Sequence, residues 1–170
     1  MYEQIRQNRR HRRGKWLYVL LISCLLLCGV TVAMVAHVLA QEHDFKQYIA
    51  DFSSSTSHAY SQGYLLASLE GRQRQITGDD VHSLYNLIVN CRGIKEQKRP
   101  QSQPEVTIDF GDNSQMAFWA SKLENSTNGR EYGLLIWYQN QEGDTYCYDT
   151  DRLDIDRVKL ILRRKVDYVQ

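Results

Sequence analysis

The sequence lacks the short motifs that mark common catalytic and nucleotide-binding sites. Neither the G-x-S-x-G pattern of serine hydrolases nor a P-loop occurs in its 170 residues. Cys91 and Cys147 have no second cysteine or histidine at the spacing of a zinc site. Because catalytic triads assemble from residues far apart in sequence, a cell-envelope hydrolase without a recognisable motif stays open as an alternative. The sequence therefore predicts no catalytic residue, no cofactor and no metal ligand.

Outside the N-terminus the chain has a mild excess of acidic residues. Six of the 21 lysines and arginines fall within residues 1–15, together with one acid, Glu3. The rest of the chain holds 15 cations against 19 acids, a net charge of −4. Nucleic-acid binding needs a basic face, which this part does not offer. We therefore expect no nucleic-acid partner.

Charge of either sign is missing from residues 16–40. As a helix this run spans about 37 Å at about 1.5 Å per residue, which exceeds the bilayer core of about 30 Å. A single span can satisfy its backbone groups within lipid only as a helix. Residues 16–40 are therefore predicted to be a transmembrane helix with the lipid bilayer as its partner. Trp16 and Tyr18 would lie at the cytoplasmic interface.

The cations around this run predict its orientation. Six precede it, as a topology signal: Arg6, Arg9, Arg10, Arg12, Arg13 and Lys15. Residues 41–55, which follow it, hold one lysine and three acids. The positive-inside rule then predicts a single-pass cell-membrane protein with a basic cytoplasmic tail at 1–15 and its C-terminal domain outside.

Two processing events compete with a permanent anchor. Val38-Leu39-Ala40 resembles a signal-peptide cleavage site, but the apolar run is longer than the usual 7–15 residues or so. Leu21-Ile22-Ser23-Cys24 resembles a lipobox, but apolar rather than polar residues follow Cys24. An uncleaved anchor is therefore the preferred interpretation.

Residues 41–58 are predicted to form an amphipathic stalk and a Ser-rich linker. Phe45, Tyr48, Ile49 and Phe52 recur at the spacing of one helix face, which either extends the transmembrane helix or, preferably, packs on the domain. The small polar run Ser53–Ser57 predicts a linker or helix stop. An extracytoplasmic domain would then occupy residues 59–170.

The pattern within this domain predicts the order β-β-α-β-β-β-β-α. The predicted strands are Tyr64–Leu69, Arg72–Ile76, Val106–Phe110, Gln115–Ser121, the central strand Tyr132–Gln139, and Thr145–Asp149. One helix begins after a capping box at Thr77 and Asp80 and ends near Gly93, and a second covers 150–165. Residues 95–104 read as an exposed loop. The predicted fold class is α+β, with a small antiparallel sheet and two helices packed on one face.

Cys91 and Cys147 are a candidate disulfide, because the domain is expected outside the cytoplasm. The bond would close 57 residues and stabilise the domain by ~4 kcal/mol in the chain-entropy model. Two buried free thiols are the alternative. Asp149, Asp151, Asp154 and Asp156 lie close together but fail the calcium-loop pattern, because its fifth position is Leu153 and its sixth is Asp154, so surface ion pairs are expected.

Aromatic residues are frequent on the last strands. Tyr132, Tyr138, Tyr146 and Tyr148 are expected mainly as core edges and cross-strand pairs rather than as a binding face. An enzyme would instead gather titratable groups in a pocket, near His58 or His82.

The layout resembles small uncharacterised single-span exported proteins of Gram-positive bacteria. The features that carry the resemblance are the basic tail, one span, a hairpin, the I-T-x-x-D-V segment from Ile76 to Val81 and tyrosine-rich final strands. It implies a membrane location. The layout is also similar to type IV pilins, with Arg13-Gly14 before Lys15 as a leader-like site, although Val19 stands where that family has a glutamate.

These observations lead to one functional expectation. The chain is predicted to be a membrane-anchored extracytoplasmic binding module for another envelope protein or a wall component. A pilin-like assembly subunit and a cell-envelope hydrolase are the alternatives.

Overall fold

The computed structural model describes residues 2–91, 93–96, 98–122 and 132–163, with backbone alone for residues 2–15 and 17. These residues form an α+β structure with one long N-terminal helix, an open antiparallel seven-strand sheet and further helices. The chain divides into two compact units, Met1–Asp44 and Phe45–Gln170. The six cations of the topology signal lie where side chains are outside the described part.

Helix α1 covers Tyr2–Gln62. Within the first unit, its apolar run is a candidate membrane anchor, and the described side chains from Trp16 to Ala40 are exposed. Within the second unit, Tyr48 and Phe52 are buried. The stripe that begins at Phe45 thus packs on the domain, which was the preferred interpretation.

The predicted helix stop at Ser53–Ser57 is wrong, because α1 runs through it. The hydroxyl groups there bond back to the helix rather than breaking it. Thr56 Oγ1 donates to the Phe52 carbonyl at 2.8 Å, and Ser57 Oγ donates to the Ser53 carbonyl at 2.9 Å. Ser55 and Thr56 are small enough to be buried against the domain.

Seven strands and two more helices follow α1. They are β1 Tyr64–Leu69, β2 Arg72–Thr77, α2 Gly78–Ile88, β3 Ile94–Lys95, β4 Val106–Asp109, β5 Gln115–Lys122, β6 Tyr132–Gln139, β7 Thr145–Thr150 and α3 Ile155–Leu162. The sheet order is β2-β1-β4-β5-β6-β7-β3, and every neighbouring pair is antiparallel. All six predicted strands are present. The two-residue strand β3 was not predicted because so short a segment has no periodicity.

The main core lies between one sheet face and the three helices. Phe52 of α1, Leu84 of α2 and Val158 of α3 are fully buried there with Phe118 and Ile136 of the sheet. Three helices therefore cover this face, one more than predicted, since the C-terminal part of α1 joins α2 and α3.

The second sheet face carries a smaller cluster of Ala117, Trp119, Trp137 and Cys147. Residues 96 and 98–105, here called the strap, cross this face between β3 and β4. Trp119 Nε1 donates to the Ser102 carbonyl at 3.0 Å, and the Arg99 guanidinium lies 4.3 Å from the Trp137 ring centroid. The predicted loop is thus a cover for two tryptophans. Because the strap covers this face, β6 is buried on both faces, as predicted. The middle strand of the sheet, however, is β5.

Helix α2 begins at the predicted capping box. Thr77 Oγ1 accepts from the Asp80 backbone N–H, and the Asp80 carboxylate accepts from the Thr77 N–H at 2.9 Å. The helix ends at Ile88, so Gly93 does not cap it. Gly93 is needed instead where the chain meets β7, because a Cβ there would stand 2.6 Å from the Asp149 carbonyl oxygen.

Gly78 allows α2 to approach α1. A Cβ at this position would stand 2.8 Å from Tyr60 Cα, a contact that backbone shifts alone can relieve. We expect Gly78→Ala to destabilise the domain by about 1–3 kcal/mol despite the better helix propensity of alanine. Urea unfolding of the full chain in detergent measures this. Gly29→Ala is the matched control, since a Cβ there meets nothing within 4 Å. Equal stability of Gly78→Ala and the parent chain would contradict the close approach.

Candidate functional site

A polar cleft lies between α1 and the turn from β6 to β7. The Asp51 carboxylate accepts from Asn140 Nδ2 at 2.9 Å and from the Tyr146 hydroxyl at 2.7 Å. Burial and the nearby Asp51 carboxylate raise the pKa of Tyr146 well above its ordinary value, so this hydroxyl stays a donor. The cleft measures about 190 Å³. Its lining residues are Gln47, Asp51, Ser54, Ser55, Tyr138, Asn140, Gln141, Glu142 and Asp144.

One helical turn further on, Ser55 is the centre of a second polar group. Its Oγ lies 2.6 Å from Ser114 Oγ, 2.9 Å from the Tyr138 hydroxyl and 3.2 Å from Asp112 Oδ2. Gln141 Nε2 also donates to Asp112 at 2.6 Å. These bonds tie α1 to β6 and to the turn after β4, and they tie that turn to the turn after β6. We interpret the group as a structural brace, because its buried hydroxyls are occupied by each other and by Asp112.

The Asp112 carboxylate makes this brace sensitive to acid. Burial raises its pKa, but hydrogen bonds from Ser114, Gln141 and Ser55 together outweigh burial and hold the pKa below 3.8. The folded state therefore binds this proton less readily than the unfolded state. Its stabilising contribution is complete above the unfolded pKa and is lost as the pH falls through the folded pKa.

We expect the stability difference between the parent chain and Asp112→Asn to shrink from pH 6 to pH 3. Urea unfolding at several pH values measures it. Asp109→Asn is the matched control, because Asp109 is exposed and accepts a hydrogen bond from the Gly111 N–H alone among the described contacts. A constant Asp112 difference across this range would contradict the assigned hydrogen bonds.

A second opening, here called the α1–α2 groove, lies between those two helices. It measures about 470 Å³ and is lined by Ser53, Thr56, Ser57, Tyr60, His82 and Tyr85. The His82 and Tyr85 rings are nearly parallel, at 23° with centroids 6.4 Å apart. Tyr60 is 59% exposed. A hydrogen bond to the Asp79 carboxylate raises the pKa of the Tyr60 hydroxyl. The groove therefore combines accessible rings with hydroxyl groups.

The other residues that the sequence singled out are dispersed. His58 pairs with Gln62 at 2.8 Å, and Asp154 caps α3 by accepting from the Arg157 N–H at 2.9 Å. Tyr138 and Tyr148 are buried in the core, whereas Tyr132 is 55% exposed. Of these residues, only His82 lies in the α1–α2 groove.

Sequence reasoning missed the Ser55 brace because Ser53–Ser57 resembled a linker. The periodicity held a usable signal. The buried stripe of α1 continues past Phe52 with Ser55, Thr56 and Ala59, at helical spacing. Ser114 and Asp112, which contact this stripe, belong to a distant part of the chain. No local sequence pattern therefore predicts their contacts with α1.

Cys91 and Cys147 are both free in the structure. Cys91 packs against the main core and donates to the Leu87 carbonyl, whereas Cys147 belongs to the cluster on the opposite sheet face. Burial raises the pKa of Cys147 to about 11. Their pairing stays a prediction of the sequence, and the geometry favours its alternative of two free thiols.

A thiol count decides between these alternatives. We expect the chain, unfolded without reductant, to take up four alkyl groups, one on each of its four cysteines. Intact-mass measurement before and after reduction checks this. Uptake of two groups before reduction and four after it would establish a disulfide.

No family model, curated protein or solved structure matched this chain.

Proposed function

We propose that the chain is a single-pass membrane protein whose domain lies outside the cytoplasm and binds another component of the cell envelope. The anchor is supported by the apolar run of α1, whose described side chains from Trp16 to Ala40 are exposed. An exposed apolar surface of that length is strongly unfavourable in water and favourable in lipid. The six cations before the run support a cytoplasmic N-terminus.

The binding role rests on one observation, the accessible rings of the α1–α2 groove. Tyr60 and His82 are exposed and Tyr85 is half-buried, and a compact domain gains nothing by leaving such rings uncovered. Exposed aromatic surface beside polar groups is characteristic of recognition sites. The partner is an envelope protein or a wall component.

Topology is tested first. In membranes from cells that produce the full chain, alkaline carbonate should leave the protein in the pellet. Protease added to intact spheroplasts should digest the domain while an N-terminal tag stays protected. Extraction by carbonate, or protection of the domain, would contradict the proposed anchor or its orientation. An intact mass near 19.9 kDa would show that the anchor is retained.

Binding is tested by photo-cross-linking in the same cells. A photoreactive residue replaces His82 in the groove, and a second chain carries it at Glu142, in the polar cleft, as the control. A cross-linked product specific to position 82 is expected. Equal labelling at both positions, or none at either, would contradict a binding role for the groove.

A pilin-like assembly subunit is the second candidate. It is favoured by α1, which runs unbroken from the apolar segment into residues that pack on an antiparallel sheet. This candidate requires loss of residues 1–14 and incorporation into a filament. Mass spectrometry of the protein from its native membrane separates the two functions, because a chain that retains Met1–Gly14 cannot be a processed pilin.

A further inference from the structure

We propose that the α1–α2 groove binds an uncharged saccharide of the envelope. This inference rests on the proposed binding function and names its ligand class. The first support is the ring geometry. His82 and Tyr85 offer nearly parallel rings on successive turns of α2, and Tyr60 faces the groove from α1. The C–H groups of a pyranose carry partial positive charge and are attracted to the negative face of an aromatic ring.

The second support is the direction of the hydrogen bonds. Thr56 and Ser57 donate their hydroxyl protons to helix carbonyls. These oxygens keep their acceptor capacity while their protons are occupied. These acceptors favour a ligand that is rich in donors.

A saccharide hydroxyl suits this lining better than a peptide. Each peptide unit brings an acceptor carbonyl with every N–H donor, and a carbonyl without a donor costs about 1–3 kcal/mol on burial. A saccharide hydroxyl carries its donor and its acceptor on one oxygen. It can therefore donate to the groove while its lone pairs face solvent.

Charge further narrows the ligand class. Asp79 lies beside Tyr60 at the N-terminal end of α2 and would repel an anionic polymer. The opening of about 470 Å³ lies within the usual range of ligand pockets, about 300–1,000 Å³. A short segment of a neutral glycan fits these conditions.

The test uses the full chain in lipid nanodiscs, because sugar-headed detergents would compete. Chitotetraose and cellotetraose serve as probes, and isothermal titration calorimetry measures Kd. We expect at least one probe to bind. Tyr60→Ala and His82→Ala should each weaken it about tenfold, as the loss of one stacked ring predicts. Both side chains are exposed, so the fold should survive. Tyr132→Ala removes an exposed tyrosine outside the groove and should leave Kd within twofold.

Absence of heat with both probes at millimolar concentration would overturn the saccharide assignment, as would a Kd unchanged in Tyr60→Ala and His82→Ala. The cross-linking experiment separates this failure from that of the proposed function. Specific capture of a protein from position 82, without saccharide binding, would contradict the saccharide assignment and support the binding function. If both the calorimetry and the cross-linking fail, the saccharide assignment and the binding function are both contradicted.

Discussion

Phe52→Ala is expected to destabilise the domain by about 3–5 kcal/mol, the usual loss when a buried phenylalanine becomes alanine. Phe52 is fully buried, and its ring lies 5.4–6.2 Å from the rings of Tyr48, Tyr85, Phe110 and Tyr138. Truncation would leave a cavity between α1 and the sheet that these large rings cannot readily fill. Because the domain's total stability is of the order of 5–15 kcal/mol, the loss is large.

Urea unfolding of the full chain in detergent measures this loss. Trp119 and Trp137 are buried, so their fluorescence reports on the domain. Tyr64→Ala is the control, because Tyr64 is 62% exposed and its removal should change stability by less than about 0.5 kcal/mol. A Phe52→Ala loss below about 1 kcal/mol would show that the Phe45–Gln62 part of α1 does not belong to the core.

Trp137→Ala is expected to have an effect of similar size, about 3–5 kcal/mol. Trp137 is 7% exposed although it lies on the sheet face away from the helices, since the strap and the Arg99 guanidinium cover it. The variant would remove both the indole and the surface on which Arg99 rests. Thermal or urea unfolding, followed by far-ultraviolet circular dichroism, measures the change.

A double-mutant cycle with Arg99→Ala isolates the cation–π contact. The coupling energy should be about 0.5–1 kcal/mol, because Arg99 is exposed and its guanidinium lies 4.3 Å from the Trp137 ring centroid. Lys98→Ala, at an exposed neighbour in the strap, should show no coupling with Trp137. Zero coupling for Arg99 would mean that the strap does not hold its position over the tryptophans in solution.

The ion pairs that Lys159 of α3 forms stabilise the domain only over a limited range of pH. Lys159 lies 2.7 Å from Glu70 and 2.6 Å from Glu105. A hydrogen bond from Lys159 lowers the pKa of Glu70, and hydrogen bonds to Glu105 and Glu70 raise the pKa of Lys159. These ion pairs therefore stabilise the domain at pH values between the ordinary pKa values of glutamate and lysine. Their contribution to stability declines both in acid and in strong base. The exposed Glu70 carboxylate keeps this effect small.

The elements with strong local patterns were predictable from the sequence. Local strand patterns located six strands, among them Tyr64–Leu69 and the nearly all-apolar run Tyr132–Gln139, both with their observed bounds. The capping box at Thr77 and Asp80 fixed the start of α2, because cap, helix and acidic first turn are all local features. The absence of charge from residues 16–40 identified the candidate anchor for the same reason.

The predicted helix stop at Ser53–Ser57 is wrong because the local composition and the tertiary contacts of this segment favour different structures. Serine and threonine usually favour turns, since their side chains compete for backbone hydrogen bonds. In this chain Ser55 gains Ser114 and Tyr138 as partners, and Thr56 is buried, so helix is the better state. Those partners lie 59 and 83 residues away, beyond the reach of any local pattern.

The amino-acid sequence by itself determined the class of the fold, the strands, the start of α2 and the candidate anchor, because each depends on the periodicity or capping of neighbouring residues. The tertiary structure alone decided that α1 continues as a helix through Ser53–Ser57, that the strap covers Trp119 and Trp137, and that Cys91 and Cys147 lie on opposite faces of the sheet. It also brought Tyr60 of α1 beside His82 and Tyr85 of α2 to form the groove. These arrangements depend on which distant surfaces meet, and that choice is made by the packing of the whole domain.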